Sequence, residues 1–196
     1  FPPGVAEQVR DAIVARLAVS REDRIIELGV GTGRVALPFL KAGYRYTGVD
    51  ISAEMLAVFR AKLGALATPL TLVRADVGRL PMANGRFDLA IAVHLLHLVA
   101  DWRATLRETR RILRPGGALL LAGSPGTRSR HNEEELVAPP DQARRLWLST
   151  LEALGASPSA GQPGVRMEDP QVAEYLDELG ATVERVVLLE YLHTPL

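Results

Sequence analysis

The residues best suited to chemistry follow a short apolar run near the start of the chain. Residues 27–33 read ELGVGTG directly after RII, so a glutamate opens a glycine-rich loop. Such loops between a strand and a helix hold nucleotides because the backbone can approach the ligand closely. From Gly31, GTGRVA fits the dinucleotide pattern G-x-G-x-x-A, and Asp50 follows at about the spacing of a ribose-binding acid. Taken alone, the pattern also fits a tight turn that needs glycine only for its conformation.

Glu27 indicates which kind of nucleotide suits the loop. A carboxylate at the end of the strand disfavours a pyrophosphate but attracts a cationic amine, directly or through water. The expected ligand is therefore a nucleoside that carries positive charge. S-adenosylmethionine fits, because it combines a ribose and an adenine with an amino-acid ammonium, a sulfonium and no phosphate.

Further polar residues follow later apolar runs. Asp76 ends LTLVRAD, and His94 and His97 lie just beyond FDLAIAV. Asp50 and Asp76 could instead cap the turns that follow them, and either histidine could be a hydrogen-bonded core residue. The two histidines are three residues apart, a spacing that could chelate a metal on a helix. The other two histidines fall in distant segments, so no third ligand is in register and no metal is expected.

Alternating strands and helices would bring these residues together. Apolar runs predict five strands, RIIEL, YRYTGVD, LTLVRAD, FDLAIAV and ALLLAG, the last entered by a PGG turn. An N-terminal helix within residues 1–20 precedes them. RVALPFLKAG, AEMLAVFRAKLG and WRATLRETRRILR predict the intervening helices, with Ser52 and Asp101 capping the last two. This order indicates a doubly wound α/β fold, a mostly parallel sheet with helices on both faces, whose strand ends carry the ligand site.

The pattern loosens after residue 123. Two polar segments, SPGTRSRHNEEE and GASPSAGQPGVR, bracket a helix around Trp147. Asp169 and Pro170 predict the start of a further helix, which Gly180 ends before a sixth strand, TVERVVLLEYL. We expect one domain with three parts: an N-terminal helix over 1–20, a cofactor-binding core over 21–123, and acceptor-side loops, helices and the sixth strand over 124–196.

Composition limits the classes of function. The 196 residues contain 23 basic and 23 acidic side chains, and 47% are hydrophobic, which is typical of a globular protein without a polyanionic partner. The chain has no cysteine, which excludes disulfides and thiolate metal sites. With no leader in the sequence, we expect a cytoplasmic protein. The longest apolar stretch, LAIAVHLLHLVA, is too short to span a membrane.

Five blocks together resemble one known family. ELGVGTG, YTGVD, RADVGRLP, FDLAIAVHLLHLV and LRPGGALLLAG are similar, in order and spacing, to class I S-adenosylmethionine-dependent methyltransferases, especially the small-molecule type related to ubiquinone-biosynthesis methyltransferases. The resemblance implies transfer of a methyl group to an unidentified small-molecule acceptor by in-line displacement, with S-adenosylhomocysteine as the product. The family's sheet has seven strands, the last antiparallel, so we expect that last strand to be missing from this sequence.

The resemblance also implies the cofactor site. Its members would be Glu27, Gly29, Gly31, Gly33, Asp50, Ile51, Asp76, Val77 and His94. The loop would meet the methionine and ribose, and Asp50 would accept both ribose hydroxyls. Ile51 would pack on the adenine, although it could equally be a core residue. Asp76 would accept the exocyclic amine, with the Val77 N–H near a ring nitrogen, and His94 would face the sulfonium.

The acceptor side is defined less closely. His97 or His94 would be the general base for an acceptor that holds a proton, whereas a carbanion or thiolate would need none. Two alternative classes share the fold. An NAD(P)-dependent oxidoreductase is disfavoured by Glu27 and by the lack of a Tyr-Lys pair, and a non-catalytic S-adenosylmethionine-binding module by the retained acids. A row of four arginines between residues 103 and 114 is interpreted as a solvated helix face rather than a nucleic-acid surface.

Overall fold

A parallel sheet of five strands organises the part of the chain that the computed structural model describes, namely residues 4–64, 69–122, 164–165 and 169–184. The strands are β1 (Arg24–Leu28), β2 (Arg45–Asp50), β3 (Leu70–Arg74), β4 (Phe87–Val93) and β5 (Leu113–Ala122). The helices are α1 (Val5–Leu17), α2 (Ala36–Lys41), α3 (Ala53–Leu63), α4 (Trp102–Ile112) and α5 (Pro170–Glu178), and a 3₁₀ turn covers Leu96–Leu98.

The strand order β3-β2-β1-β4-β5 fixes where a ligand can bind. The chain runs outward from β1 to β3 and then returns to place β4 on the other side of β1. The loops after β1 and β4 therefore leave in opposite directions and open a crevice at the carboxyl ends of the strands. At this end of the sheet, Leu28 of β1 pairs with Val49 of β2 and Ala92 of β4.

Helices cover both faces of the sheet because the buried strands are apolar on both sides. Alternate residues of a strand face opposite sides. The layer that includes α1, α2 and α3 contains Ile13, Ile25, Phe39, Phe59 and Ile91, and the layer on the other side contains Ile26, Leu28, Leu80, Leu95 and Ile112. Burying each of these side chains contributes up to about 1.5–3 kcal/mol relative to exposure. The predicted doubly wound, parallel α/β fold with helices on both faces is confirmed.

The predicted helix caps are confirmed as well. The Ser52 side chain accepts a hydrogen bond from the Met55 N–H at 3.1 Å, and the Asp101 carboxylate accepts one from the Ala104 N–H at 2.8 Å. Asp169 caps α5 in the same way, and Pro170 occupies its first turn. Each cap satisfies a backbone donor that has no partner inside its helix, and is worth about 1 kcal/mol.

The structure corrects the predicted start of the fifth strand. PGG was expected to turn the chain before ALLLAG, but β5 already begins at Leu113. Leu113 pairs with Phe87, and the next pair joins Ala118 to Leu89, so the residues between them form a bulge opposite Asp88. A bulge accommodates the proline and glycines without ending the pairing, because extra residues on one strand need no partner.

Several predicted segments lie wholly or mainly outside the described residues. They are the polar segment SPGTRSRHNEEE, the helix around Trp147, most of GASPSAGQPGVR, and residues 185–192 of the sixth strand. Residues 182–184 are described and are not in a strand. Within the described ranges, no helix is long and apolar enough to cross a membrane.

The arginine row of α4 does more than face solvent. Arg107 donates to the Tyr175 hydroxyl at 3.0 Å, and Arg110 donates to the Leu179 carbonyl at 2.5 Å, so both arginines contact α5 or the turn that ends it. Arg103 lies 4.1 Å from the Trp102 ring centroid. Much of the row therefore fixes α5 on α4, and the interpretation as a purely solvated face is corrected to this extent.

Candidate functional site

The glycine loop after β1 continues the sheet before it turns away. The Val30 N–H donates to the Val49 carbonyl at 2.9 Å, one step beyond the last paired residue of β1. Gly29, Gly31 and Gly33 then adopt φ angles of +69°, +53° and +77°. All three values lie in the left-handed region, which glycine enters without steric cost. The loop is thereby held close to the ends of β1 and β2.

The three glycines are required for different reasons. A Cβ on Gly33 would lie 2.1 Å from the Phe59 ring, and one on Gly29 would lie 2.8 Å from Leu95 Cδ1. Among the described residues, no heavy atom outside the loop backbone itself lies within 4 Å of a Cβ built on Gly31. Gly33 and Gly29 thus permit close packing inside the protein, whereas Gly31 leaves room at the crevice for a ligand.

Asp50, the last residue of β2, connects this loop to the next one. Its Oδ2 accepts the Gly31 N–H at 2.8 Å, and its Oδ1 accepts the Ser52 N–H at 2.9 Å. Asp50 therefore caps the turns on either side of it, as one alternative predicted. The other alternative, that Asp50 binds a ligand, is also compatible with this geometry, because each carboxylate oxygen accepts more than one hydrogen bond. The half-buried carboxylate retains acceptor capacity toward the crevice.

Glu27 is buried deeply, with only 3% of its surface exposed. The Tyr46 hydroxyl donates to its Oε2 at 2.9 Å. Burial raises the pKa of Glu27 to about 8, and the hydrogen bond from Tyr46 and the charge of Arg34 oppose this shift only in part. At neutral pH the carboxyl of the unliganded protein is therefore mainly protonated. The sequence predicted a carboxylate that attracts a cation, whereas burial of this side chain favours the neutral acid in the unliganded protein.

The predicted adenine-binding residues lie at the ends of β2 and β3. Ile51 is 67% exposed, so the alternative that it belongs to the core is wrong. Asp76 is exposed, and its Oδ1 accepts the Gly78 N–H at 2.8 Å. The Val77 side chain is buried in the layer that contains Leu28 and Ile112. This burial holds the backbone that follows Asp76 against the sheet. An apolar surface and a carboxylate are thus presented at the same edge of the sheet.

His94 has an uncommon backbone conformation at the end of β4. Its φ angle is +52°, and its N–H donates to the Ala122 carbonyl of β5 at 2.9 Å. A left-handed conformation costs a residue with a Cβ about 1–2 kcal/mol, and such strain is concentrated at functional sites. Its exposed ring lies 6.4 Å from that of the half-buried His97, centroid to centroid. The structure therefore brings the two predicted histidines together.

A distant segment reaches these histidines. The Val165 N–H donates to the Leu96 carbonyl at 3.2 Å, and a Cβ on Gly164 would lie 1.9 Å from the same oxygen. Only glycine permits this approach. Gly164 and Val165 belong to the part of the chain expected on the acceptor side, and they lie against the 3₁₀ turn that contains His97. Across the described ranges no three His, Asp or Glu side chains form a metal cluster.

Tyr46 is the site residue that the sequence reasoning missed. A signal existed, because strand residues two apart face the same side and Gly48 pairs with Glu27 across β1 and β2. Tyr46 therefore projects into the layer where Glu27 lies.

The fold and site together define a class of protein. A parallel sheet that carries a glycine loop at its topological switch point, with an acid ending the next strand, defines a nucleoside-binding α/β domain. Residues 26–121 match the family model described as a methyltransferase domain. The resemblance seen in the sequence to class I S-adenosylmethionine-dependent methyltransferases is therefore confirmed.

Individual relatives agree with this assignment. The chain is 36% identical, over 120 residues, to the ubiquinone/menaquinone biosynthesis C-methyltransferase UbiE of Syntrophotalea carbinolica. The match covers 60% of this chain and 51% of that protein, so the chain spans about half the length of this relative.

Two solved structures are also similar. A protein from Methanococcus maripaludis, described as an S-adenosyl-L-methionine-dependent methyltransferase, has a TM-score of 0.63 at 19% identity, covering 93% of this chain and 80% of its own, and supports the fold alone. The glycopeptide N-methyltransferase MtfA has a TM-score of 0.54 at 27% identity, covering 62% of this chain and 54% of its own. That structure contains sinefungin, an analogue of S-adenosylmethionine.

Proposed function

We propose that this protein binds S-adenosylmethionine in the crevice between the β1 and β4 loops and transfers its methyl group to a small-molecule acceptor. The observation that carries the proposal is the Gly31–Asp50 pair. The Gly31 N–H holds one oxygen of Asp50 at 2.8 Å, while the α-carbon of Gly31 borders open space at the crevice. A ribose diol fits there, because a carboxylate can accept both hydroxyls through its remaining lone pairs.

The remaining parts of the cofactor follow from this placement. The exposed side chain of Ile51 adjoins Asp50 and would pack on the adenine, and Asp76 at the end of the neighbouring strand would accept its exocyclic amine. The methionine ammonium would lie toward Glu27 under the glycine loop. His94 would then face the sulfonium, since it ends β4 on the opposite side of β1.

The reaction needs alignment more than it needs a reactive side chain. A lone pair of the acceptor attacks the methyl carbon from behind, the carbon–sulfur bond breaks, and its electrons remain on sulfur in S-adenosylhomocysteine. Holding the two reactants in line and excluding water supplies most of the acceleration. An acceptor that loses a proton would pass it to His97 or His94, whose rings are 6.4 Å apart between centroids.

The acceptor itself is proposed only as a class. One relative is named as a C-methyltransferase and one structural neighbour as an N-methyltransferase. Because the two differ, they do not identify the element that accepts the methyl group in this protein. The net charge of zero gives no sign of the basic excess that a nucleic-acid partner requires, which favours a small molecule. A chain without cysteine is compatible with the reducing cytoplasm, where we place the protein.

Calorimetric titration with S-adenosylmethionine, S-adenosylhomocysteine and NADH tests the cofactor. We expect micromolar binding of the first two and none of NADH. Asp50→Ala should weaken S-adenosylhomocysteine binding about 100-fold, because two charge-assisted hydrogen bonds are lost. Glu22→Ala removes an exposed acid of the same charge before β1 and should leave affinity unchanged. Binding of NADH alone would replace the proposal with an oxidoreductase.

A second experiment separates an enzyme from a non-catalytic binding module. Small nucleophiles with carbon, oxygen, nitrogen or sulfur acceptor atoms would be incubated with methyl-labelled S-adenosylmethionine, and labelled products detected by mass spectrometry. The Asp50→Ala variant provides the matched blank. Tight cofactor binding with no labelled product from any acceptor class would favour the binding module.

A further inference from the structure

Glu27 and Tyr46 form a buried acid–tyrosine pair beneath the glycine loop. The carboxyl belongs to β1 and the hydroxyl to β2, and the two are joined by a hydrogen bond of 2.9 Å. Glu27 is 3% exposed and Tyr46 is 2% exposed. A buried carboxylate with one hydroxyl donor is poorly compensated for the water that it loses, so the neutral acid is favoured while the crevice is empty.

The charges around this pair leave the acid responsive to a ligand. Arg34, after the loop, favours the ionised form, whereas Asp50 at the end of β2 disfavours it. On β4, the residue paired with Glu27 is Ile91, which is apolar. Burial is the largest influence and Arg34 opposes it only in part, so an arriving cation would add to Arg34 in favouring the ionised form.

We propose that the acid–tyrosine pair couples cofactor binding to proton release: the ammonium of the ligand ionises Glu27, and Tyr46 sets the pH at which this occurs. The inference rests on the proposed function, because it takes S-adenosylmethionine as the ligand. The step is balanced. The O–H bond of the Glu27 carboxyl breaks, its proton passes to solvent, and the carboxylate keeps the electron pair and accepts hydrogen bonds from the ammonium and from Tyr46.

Tyr46 is a positioning residue in this scheme, since it acts through Glu27. Its hydroxyl stabilises the carboxylate, so removing the hydroxyl makes ionisation harder. Tyr46→Phe keeps the ring and removes only the donor. Its effect should therefore be a shift of the pH profile of binding toward higher pH. A purely structural role would instead lower affinity equally at every pH.

The test is calorimetric titration with S-adenosylhomocysteine between pH 6 and pH 9, in paired buffers that differ in ionisation enthalpy. The heat difference between paired buffers gives the number of protons released per ligand bound. We expect close to one proton at pH 6.5 from the natural protein, and an affinity that rises about tenfold per pH unit toward pH 8. Glu27→Gln removes the titrating proton and keeps the shape, so it reports what the ligand's own amine contributes.

The ligand 5′-methylthioadenosine provides a second control. It retains the adenine, ribose and sulfur but has no amino-acid group, so its binding should release no proton from Glu27. Thermal unfolding would accompany each variant to establish that it is folded. The Glu27→Gln comparison decides the coupling even if Tyr46→Phe does not fold.

The outcomes separate the two proposals. Equal proton release from the natural protein and Glu27→Gln would overturn the coupling while leaving the cofactor assignment intact. An affinity loss in Tyr46→Phe that is uniform with pH would overturn the role of Tyr46. If neither adenosine ligand binds at any pH, the proposed function fails and the inference fails with it.

Discussion

Replacing Glu27 by glutamine should remove a pH-dependent penalty from the stability of the unliganded protein. The pKa of Glu27 is about 8 in the folded chain, against an ordinary value of 4.5. The folded state therefore binds more protons than the unfolded state between these two values, and stability falls as pH rises. The contribution of this group is greatest below pH 4.5, is lost as pH rises, and changes no further above about pH 8.

The size of the effect follows from the shift. At about 1.4 kcal/mol per pKa unit, the full penalty at high pH is about 5 kcal/mol. Between pH 5 and pH 7 the free energy of unfolding should fall by about 2–3 kcal/mol through this group alone. Glu27→Gln still accepts the Tyr46 hydroxyl through its amide oxygen and carries no titrating proton. It should therefore become more stable than the natural protein by that amount over the same interval.

Urea unfolding at 25 °C, at pH 5, 6, 7 and 8, measures this difference directly. The difference between the two proteins isolates Glu27, because other titrating groups are common to both. Glu22→Gln, an exposed acid before β1, controls for the loss of one charge. If natural protein and Glu27→Gln change in parallel from pH 5 to pH 8, Glu27 is not a buried neutral acid and the reasoning on the acid–tyrosine pair is refuted.

Three further predictions follow from the crevice. Gly33→Ala should lower the free energy of unfolding by about 2–5 kcal/mol, because its methyl group would overlap the Phe59 ring. Gly31→Ala should cost only the conformational strain of about 1–2 kcal/mol, and its main effect should be weaker S-adenosylhomocysteine binding. Equal losses of stability in the two variants would contradict this distinction. Ile51→Ala should weaken that ligand about tenfold and change stability by less than about 0.5 kcal/mol, as calorimetry and urea unfolding would measure. Once an acceptor that loses a proton is known, His97→Ala should lower its turnover at about neutral pH, and unchanged turnover throughout the pH range would exclude His97 as the base.

Much of the fold could be predicted because its signals are local. β1 and β4 were predicted at their observed bounds, since RIIEL and FDLAIAV are short apolar runs with clear ends. The caps at Ser52 and Asp101 were predicted because a side-chain oxygen and its backbone partner are three residues apart. The start of β5 was missed because Gly116 and its neighbours resemble a turn, and only the partner strand makes them a bulge.

The position of the candidate site could be predicted, but the burial of Glu27 and the backbone conformation of His94 could not. Glu27 and Asp50 lie near the carboxyl ends of adjacent strands, so their position at a common edge of the sheet followed from the alternation of elements. Glu27 is bonded to Tyr46, which packs on Phe39, and the linear sequence does not bring these residues together. The uncommon φ angle of His94 likewise arises from the turn between β4 and the 3₁₀ helix, and its residue type alone does not signal it.

The buried state of Glu27 changes the argument that first favoured a cationic nucleoside. A neutral acid does not repel a pyrophosphate. At neutral pH the crevice therefore selects a cationic nucleoside over a dinucleotide through the favourable interaction of Glu27 with the cation, and repulsion of the pyrophosphate does not contribute. An ammonium makes ionisation favourable and acquires a buried, charge-assisted partner, whereas a phosphate suppresses ionisation and can only accept a hydrogen bond from the neutral acid. Discrimination against dinucleotides should therefore strengthen as pH rises through 8. Above that pH Glu27 is ionised without a ligand, so its carboxylate also repels the pyrophosphate.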